Sequence, residues 1–188
     1  SLLFFLYGFV NEVGIGHPVL FGLLTTALSF KILKALFEWY HYVGLQSRKL
    51  IEPNKTDKEF KTVDMFTTAC PGEPFEMFEQ TLKAMVAVTY PHKNYLCDEG
   101  NDPTLKKLCE ELGVIHVTRT THENAKAGNI NNALTQSTSE FCVILDPDHI
   151  PFPDFLDYVL QPFENPKVGY VQVVQAYYNQ AETFVARA

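Results

Sequence analysis

Phe141–Pro151, Phe-Cys-Val-Ile-Leu-Asp-Pro-Asp-His-Ile-Pro, constrains this chain more than any other stretch. The apolar residues Phe141 to Leu145 run without a break and are followed by Asp146 and Asp148 at positions i and i+2. A short, unbroken, β-branched-rich run predicts a strand buried on both faces, as in a parallel sheet. Pro147 cannot donate to a sheet ladder, so the strand should end before it. Open α/β sheets bind ligands beyond the carboxyl ends of their strands, which puts Asp146 and Asp148 at the mouth of a cleft. Two hard oxygen donors at that spacing suit Mg²⁺ or Mn²⁺ shared with substrate phosphates. A strand followed by an Asp-Pro turn without metal fits the same residues, and Asp-x-Asp alone does not separate the two.

The apolar residues are unevenly spread. Residues 1–46 carry few charges and read as a pair of transmembrane helices, the first truncated. Ser1–Val10 is apolar but about half the length a bilayer demands, and Asn11–Pro18 carries turn chemistry. Val19–Phe37, extended by Glu38–Tyr42, reaches roughly membrane-spanning length. Lys31 and Lys34, with Arg48 and Lys49 beyond, put that end in the cytoplasm, and Trp39, Tyr40 and Tyr42 suit an interfacial belt. A buried soluble hairpin is the alternative. No signal-peptide pattern is visible. Residues 47–61 read as a polar cytosolic linker.

From residue 62 onward strands and helices alternate, which predicts an α/β fold with a mostly parallel sheet. The expected strands are Val63–Cys70, Asn94–Cys97, Val114–Thr118, Phe141–Leu145 and Val168–Tyr178. The expected helices are Phe75–Val88, Pro103–Leu112 closed by Gly113, Ala127–Gln136 after a polar loop over 123–129, and Phe155–Phe163. Phe75, Phe78, Leu82 and Met85 share one helical face and read as core. Cys70, Cys97, Cys109 and Cys142 lack Cys-x-x-Cys spacing and read as buried free thiols in a reducing compartment. A net charge of −7 without a basic stripe argues against nucleic acid as a partner.

Glu73, Asp98 and Asp146 each follow a predicted strand, so a single parallel sheet would bring them to one edge. The first βα turn has no G-x-G-x-x-G, and no Walker-type loop is present, which excludes the usual dinucleotide and P-loop solutions. A nucleotidyltransferase would need a Gly/Arg-rich loop after the first strand, and none is there. Lys126, beside Ala127 and Gly128 at a helix start, suits a diphosphate, though by itself it equally suits a solvated surface lysine. His116, within a strand, reads as a packing residue and His149 as a neighbour of the metal.

Thr68–Pro74, Leu96–Gly100, Ala125–Leu134, Ile144–His149 and Val171–Asn179 occur in this order. Together they resemble the membrane-embedded family 2 glycosyltransferases, most closely the cellulose synthase branch. That resemblance implies a GT-A (Rossmann-like) fold preceded by transmembrane helices, with residues 62–188 as its N-terminal part. It further implies a processive, inverting transfer from a UDP-sugar to a growing polysaccharide such as a β-glucan. By position, Glu73 and Asp98 would hold the uridine, Lys126 the diphosphate, and Asp146 and Asp148 the divalent metal, Mg²⁺ or Mn²⁺. Gln172, Gln175 and Tyr178 would lie on the acceptor side. The resemblance places the protein in a bacterial inner membrane as a multi-pass enzyme with a cytosolic catalytic domain and accessory synthase subunits as partners. Chitin, hyaluronan, poly-N-acetylglucosamine and β-1,3-glucan synthases are alternatives within the class, and a catalytically inactive membrane-anchored binding module is one outside it.

Gly72 stands where the family usually has Asn, and Asp98-Glu99-Gly100 where it often has Asp-Asp-Gly. The family's Thr-Glu-Asp-like base and its Gln-x-x-Arg-Trp motif do not occur before Ala188, and the single tryptophan is Trp39. The expectation is therefore a fragment holding the donor side, inactive alone, with its base beyond Ala188.

Overall fold

The computed structural model describes residues 7–9, 11, 14, 16–43 and 61–176. The chain divides into two compact units, Ser1–Lys49 and Leu50–Ala188. Of the expected first helix, residues 7–9 are described and helical, and the expected linker lies outside the described residues except at residue 61.

In the first unit, helix α1 (Pro18–Val43) runs 26 residues with a mean hydropathy of 1.7 over its most apolar window, none of it buried. It is long and apolar enough to cross a membrane. Several of its polar side chains are paired locally. Thr25 and Thr26 donate to the carbonyls of Phe21 and Gly22, both at 2.8 Å, and Lys34 pairs with Glu38 one turn on. Such back-bonding lowers the cost of carrying hydroxyls in an apolar setting.

The second unit is built on a parallel sheet of order β3-β2-β1-β4. Its strands are β1 (Val63–Ala69), β2 (Lys93–Asp98), β3 (Ile115–Thr118) and β4 (Phe141–Ile144). Between them run α2 (Phe75–Val86), α3 (Pro103–Leu112) and α4 (Ala125–Leu134), with α5 (Phe155–Val159) following β4. Strand alternation sends neighbouring residues to opposite cores. Val63, Met65 and Leu96 pack with Phe78, Leu82 and Met85 of α2 and Leu105, Leu108 and Cys109 of α3. Phe66, Tyr95, Cys97 and Val117 pack on the other face with Ala133 of α4. β1 is buried along its whole length because helices cover both its faces. Asp102 caps α3 by accepting from Thr104 N at 2.7 Å, and Gly113 ends it at φ 70°.

Several expectations are corrected. β4 is half-buried at Phe141 and Val143 but exposed at Cys142 and Ile144. The reason is its edge position: α4 lies over β1, β2 and β3, leaving one face of β4 open. Cys142 and Cys70 are thus exposed thiols, whereas Cys97 and Cys109 are buried, and burial pushes both of those up to about 12. α4 begins at Ala125, so most of the stretch read as a polar loop is helical. Helix α5 stops at Val159 and gives way to a 3₁₀ turn over Gln161–Glu164, because Pro162 has no N–H to continue the ladder. Residues 168–176 form no strand, since no described strand pairs with them, and the rest of that expected strand lies outside the described residues. Phe75, at the first turn of α2, is 40% exposed, while Phe78, Leu82 and Met85 are buried as read.

Candidate functional site

The carboxyl ends of β1, β2 and β4 lie side by side because the strands are parallel and in register. Ala69 pairs with Asp98, Phe66 pairs with Ile144, and Leu145 N donates to Phe66 O at 2.9 Å. Glu73 and Asp98 bond chiefly to the backbone of their own loops. Glu73 Oε2 accepts from Cys70 N at 2.8 Å, closing the turn after β1. Gly72 in that turn has φ +93°, a conformation costly for a side chain. The glycine found in place of the family's asparagine therefore suits the backbone. Asp98 is 2% exposed and both its oxygens are taken. Oδ1 accepts from Gly100 N at 2.8 Å, and Oδ2 from Asp102 N at 2.6 Å and His116 Nε2 at 2.9 Å. His116 is thus more than the packing residue expected, since it ties β3 to the β2 loop. Asp98 stands at the expected strand end but faces into its own loop.

The ends of β3 and β4 carry the open chemistry. Lys126, in the first turn of α4, reaches across the sheet and forms an ion pair with Asp146 Oδ1. That hydrogen bond holds the Asp146 carboxyl below the usual carboxylate range, against a smaller opposing effect of burial. His149 Nδ1 accepts from Asp146 N at 3.1 Å, which turns Nε2 toward Asp146 Oδ2 at 3.7 Å and Asp148 Oδ1 at 3.9 Å. Asp146, Asp148 and His149 each present a ligand atom, all within 4.8 Å of one another. An exposed and a half-buried carboxylate with an imidazole at that spacing fit a hard divalent cation with positions left over for other oxygen ligands. The Asp-Pro-Asp turn is braced from below: Thr81 of α2, 1% exposed, donates to Pro147 O at 2.6 Å.

The two halves meet at the end of β1. The Cys70 thiol is raised first by its partial burial, then by Glu73 and Glu99, while Lys126 and Arg119 pull it down. Glu73 bonds to Cys70 N, and Glu99, whose N–H donates to Ala69 O, carries Arg119, so these three groups gather at the end of β1. Asp146, Asp148 and His149 also line a cavity of about 780 Å³ that includes Gln172 and Gln175, along the open side of β4. Tyr178 lies outside the described residues. Glu99, Arg119 and Thr81 were not singled out by sequence reasoning. An acid directly after β2 and a base directly after β3 were the available signal for the first two; nothing marked Thr81.

The glycosyl transferase family 2 model matches residues 72–188 of this chain. The chain belongs to glycosyl transferase family 2. Among curated members, it is 29% identical over 178 residues to a cellulose synthase catalytic subunit (UDP-forming) of Xanthomonas axonopodis pv. citri, covering 90% of this chain and 24% of that protein. It is 27% identical over 166 residues to cellulose synthase 1 of Komagataeibacter xylinus, covering 84% of this chain and 11% of that protein. The chain thus spans about a quarter or less of the length of these family 2 relatives. Among solved structures, it is similar to a mannosyltransferase from Pyrobaculum calidifontis, in complex with GDP-Man and Mn²⁺. That match has a TM-score of 0.61 at 21% identity, covering 81% of this chain and 46% of the other. The shared architecture is the GT-A fold of a glycosyltransferase.

Proposed function

We propose that this family 2 chain forms the donor-binding part of a processive, inverting glycosyltransferase that extends a polysaccharide from a UDP-sugar. A β-glucan of the cellulose type is the preferred product. The observation that carries the reading is the Lys126–Asp146–Asp148–His149 cluster at the carboxyl ends of parallel strands, in a chain similar to UDP-forming cellulose synthases.

Asp146 and Asp148, with His149 beside them, would hold Mg²⁺ or Mn²⁺. When bound, that ion supplies positive charge to the departing diphosphate. Lys126 already spans from α4 to Asp146; turned toward a bound diphosphate, its ammonium would add a second fixed charge where negative charge develops. Glu73 and the loop that Asp98 holds would receive the uridine. Since both Asp98 oxygens are engaged by backbone and His116, Asp98 acts there as a positioning residue. Gln172 and Gln175, in the same cavity as the two aspartates, would face the acceptor. Attack by an acceptor hydroxyl on the anomeric carbon forms the new glycosidic bond as the bond to the diphosphate breaks. The hydroxyl proton passes to a base that we do not assign to this chain. Helix α1 would cross the membrane with Lys31 and Lys34 toward the cytoplasm, leaving the catalytic unit on that side.

The deciding experiment is titration of UDP-sugars, with Mg²⁺ or Mn²⁺, into the wild type and the Asp146→Ala/Asp148→Ala variant. Metal-dependent binding should vanish in the variant, and its persistence would defeat the reading. Linkage analysis of the product formed from each UDP-sugar separates cellulose from chitin, hyaluronan, poly-N-acetylglucosamine and β-1,3-glucan.

A further inference from the structure

Behind Lys126 lies a buried arginine that neither the sequence motifs nor the family match assigns. The side chain of Arg119, directly after β3, is 4% exposed. Its guanidinium forks onto the Glu99 carboxylate, Nε to Oε2 and Nη2 to Oε1, both at 2.9 Å. Its remaining donors reach the backbone just before Lys126: Nη1 to Glu123 O at 2.6 Å and Nη2 to Ala125 O at 3.0 Å. A planar, forked cation can satisfy all four acceptors at once, which a lysine cannot.

The backbone held this way is unusual. Asn124 and Ala125 both have positive φ, 60° and 44°, immediately before Lys126. Successive non-glycine residues in the left-handed region cost on the order of 1 kcal/mol each and persist where the surroundings impose them. Asn124 makes no side-chain cap to α4. The carbonyls of Glu123 and Ala125, which flank Asn124 and close the left-handed pair, are the ones Arg119 holds. The fit is tight: a Cβ on Gly128 would meet Glu123 O at 2.0 Å and Arg119 Nη1 at 2.6 Å, so a side chain there would displace the clamp. Glu99 in turn is fixed to the sheet, its N–H donating to Ala69 O at 2.9 Å. It also pairs with His122. A glutamate at position 99 is long enough to cross from the β2 loop to Arg119, which gives the departure from Asp-Asp-Gly a physical consequence.

We infer that Arg119, paired with Glu99, is a positioning residue for donor phosphate recognition: it holds the left-handed turn that aims Lys126 across the sheet. This rests on the reading of Lys126 as the diphosphate ligand. Arg119, held by Glu99 and the backbone of Glu123 and Ala125, acts through Lys126, fixing where its ammonium sits relative to Asp146.

The test compares binding of UDP and of uridine to the whole protein in detergent, for the wild type, Lys126→Ala, Arg119→Gln, Arg119→Lys and the double variant Arg119→Gln/Lys126→Ala. Misplacing Lys126 should weaken UDP at least about tenfold in Arg119→Gln and leave uridine within about twofold. The double variant should bind UDP no worse than Lys126→Ala alone, because both changes remove one interaction. Arg119→Lys keeps the charge but loses the fork, so it should behave like Arg119→Gln; should Arg119→Gln lose its cooperative melt, Arg119→Lys supplies the same comparison. Equal losses for UDP and uridine, additive losses in the double variant, or unchanged UDP affinity in the Arg119 variants would overturn the inference while leaving Lys126 in place. Unchanged UDP affinity in Lys126→Ala would instead sink the donor-site reading, and the inference with it.

Discussion

The loops after β1 and β2 and those after β3 and β4 end on the same edge of one sheet yet differ in kind. In the first pair Glu73 and Asp98 hold their own loops, Glu73 through one oxygen on Cys70 N, and Asp98 through both oxygens on Gly100 N, Asp102 N and the His116 ring. In the second pair Lys126 and Asp146 pair across the cleft and stay accessible, as does Asp148, with Asp146 at 49% and Asp148 at 71% of the side chain, whereas Arg119 is bound to Glu99 and 4% exposed. A buried carboxylate with every lone pair occupied shapes a surface; an exposed carboxylate held by a lysine can exchange that partner for a ligand. On the proposed reading, the contrast separates residues that would build a donor site from residues that would act in it.

Breaking the acting side should cost activity without cost in stability. The variant Asp146→Asn/Asp148→Asn should lower turnover by about 10³-fold, roughly 4 kcal/mol of transition-state stabilisation. Its urea unfolding should stay within about 0.5 kcal/mol of the wild type. A clear loss of stability would dissolve the distinction. The building side should respond in reverse. Asp98→Ala removes the acceptor for two backbone N–H groups and for His116, at a cost of about 2–4 kcal/mol in urea unfolding, whereas Asp148→Ala should be near neutral.

A smaller effect sharpens the boundary between the two sides. Thr81→Val removes the support beneath Pro147 O and should cost about 1 kcal/mol, with turnover falling several-fold as the Asp-Pro-Asp turn loosens. Urea unfolding and turnover measured on the same preparation check both. The smallest effect concerns pH. The hydrogen bonds from Arg119 lower Glu99 from its ordinary 4.5. A depressed carboxyl contributes stability that is present above 4.5 and is lost as pH falls through the lower folded-state value. As pH falls below 4.5, the melting temperature should drop less steeply for Glu99→Gln than for the wild type; parallel curves would remove Glu99 from the account.

Much of the second unit was legible because the local signals agreed. The strand–helix alternation from Val63 onward, the three- and four-residue spacing of Phe78, Leu82 and Met85, and the Pro103 start and Gly113 stop of α3 each read correctly. The misreadings share a cause. β4 has the same apolar pattern as a central strand, and its open face follows from where α4 lies. Residues 123–129 carry loop-forming side chains, yet α4 starts at Ala125 behind a left-handed turn held by a distant arginine. The stretch expected as strand Val168–Tyr178 has, over residues 168–176, no described partner to pair with.

By itself, the sequence determined which residues stand at the strand ends, since parallel order and a two-residue side-chain period follow from local pattern and chain connectivity. The tertiary structure alone decided which of those acids are consumed and which remain available. Hydrogen-bond partners such as Asp98 with His116, Arg119 with Glu99 and Lys126 with Asp146 lie 18 to 20 residues apart in the chain. Only the packed sheet brings them within reach, and reach is what distinguishes a residue that supports the site from one that works in it.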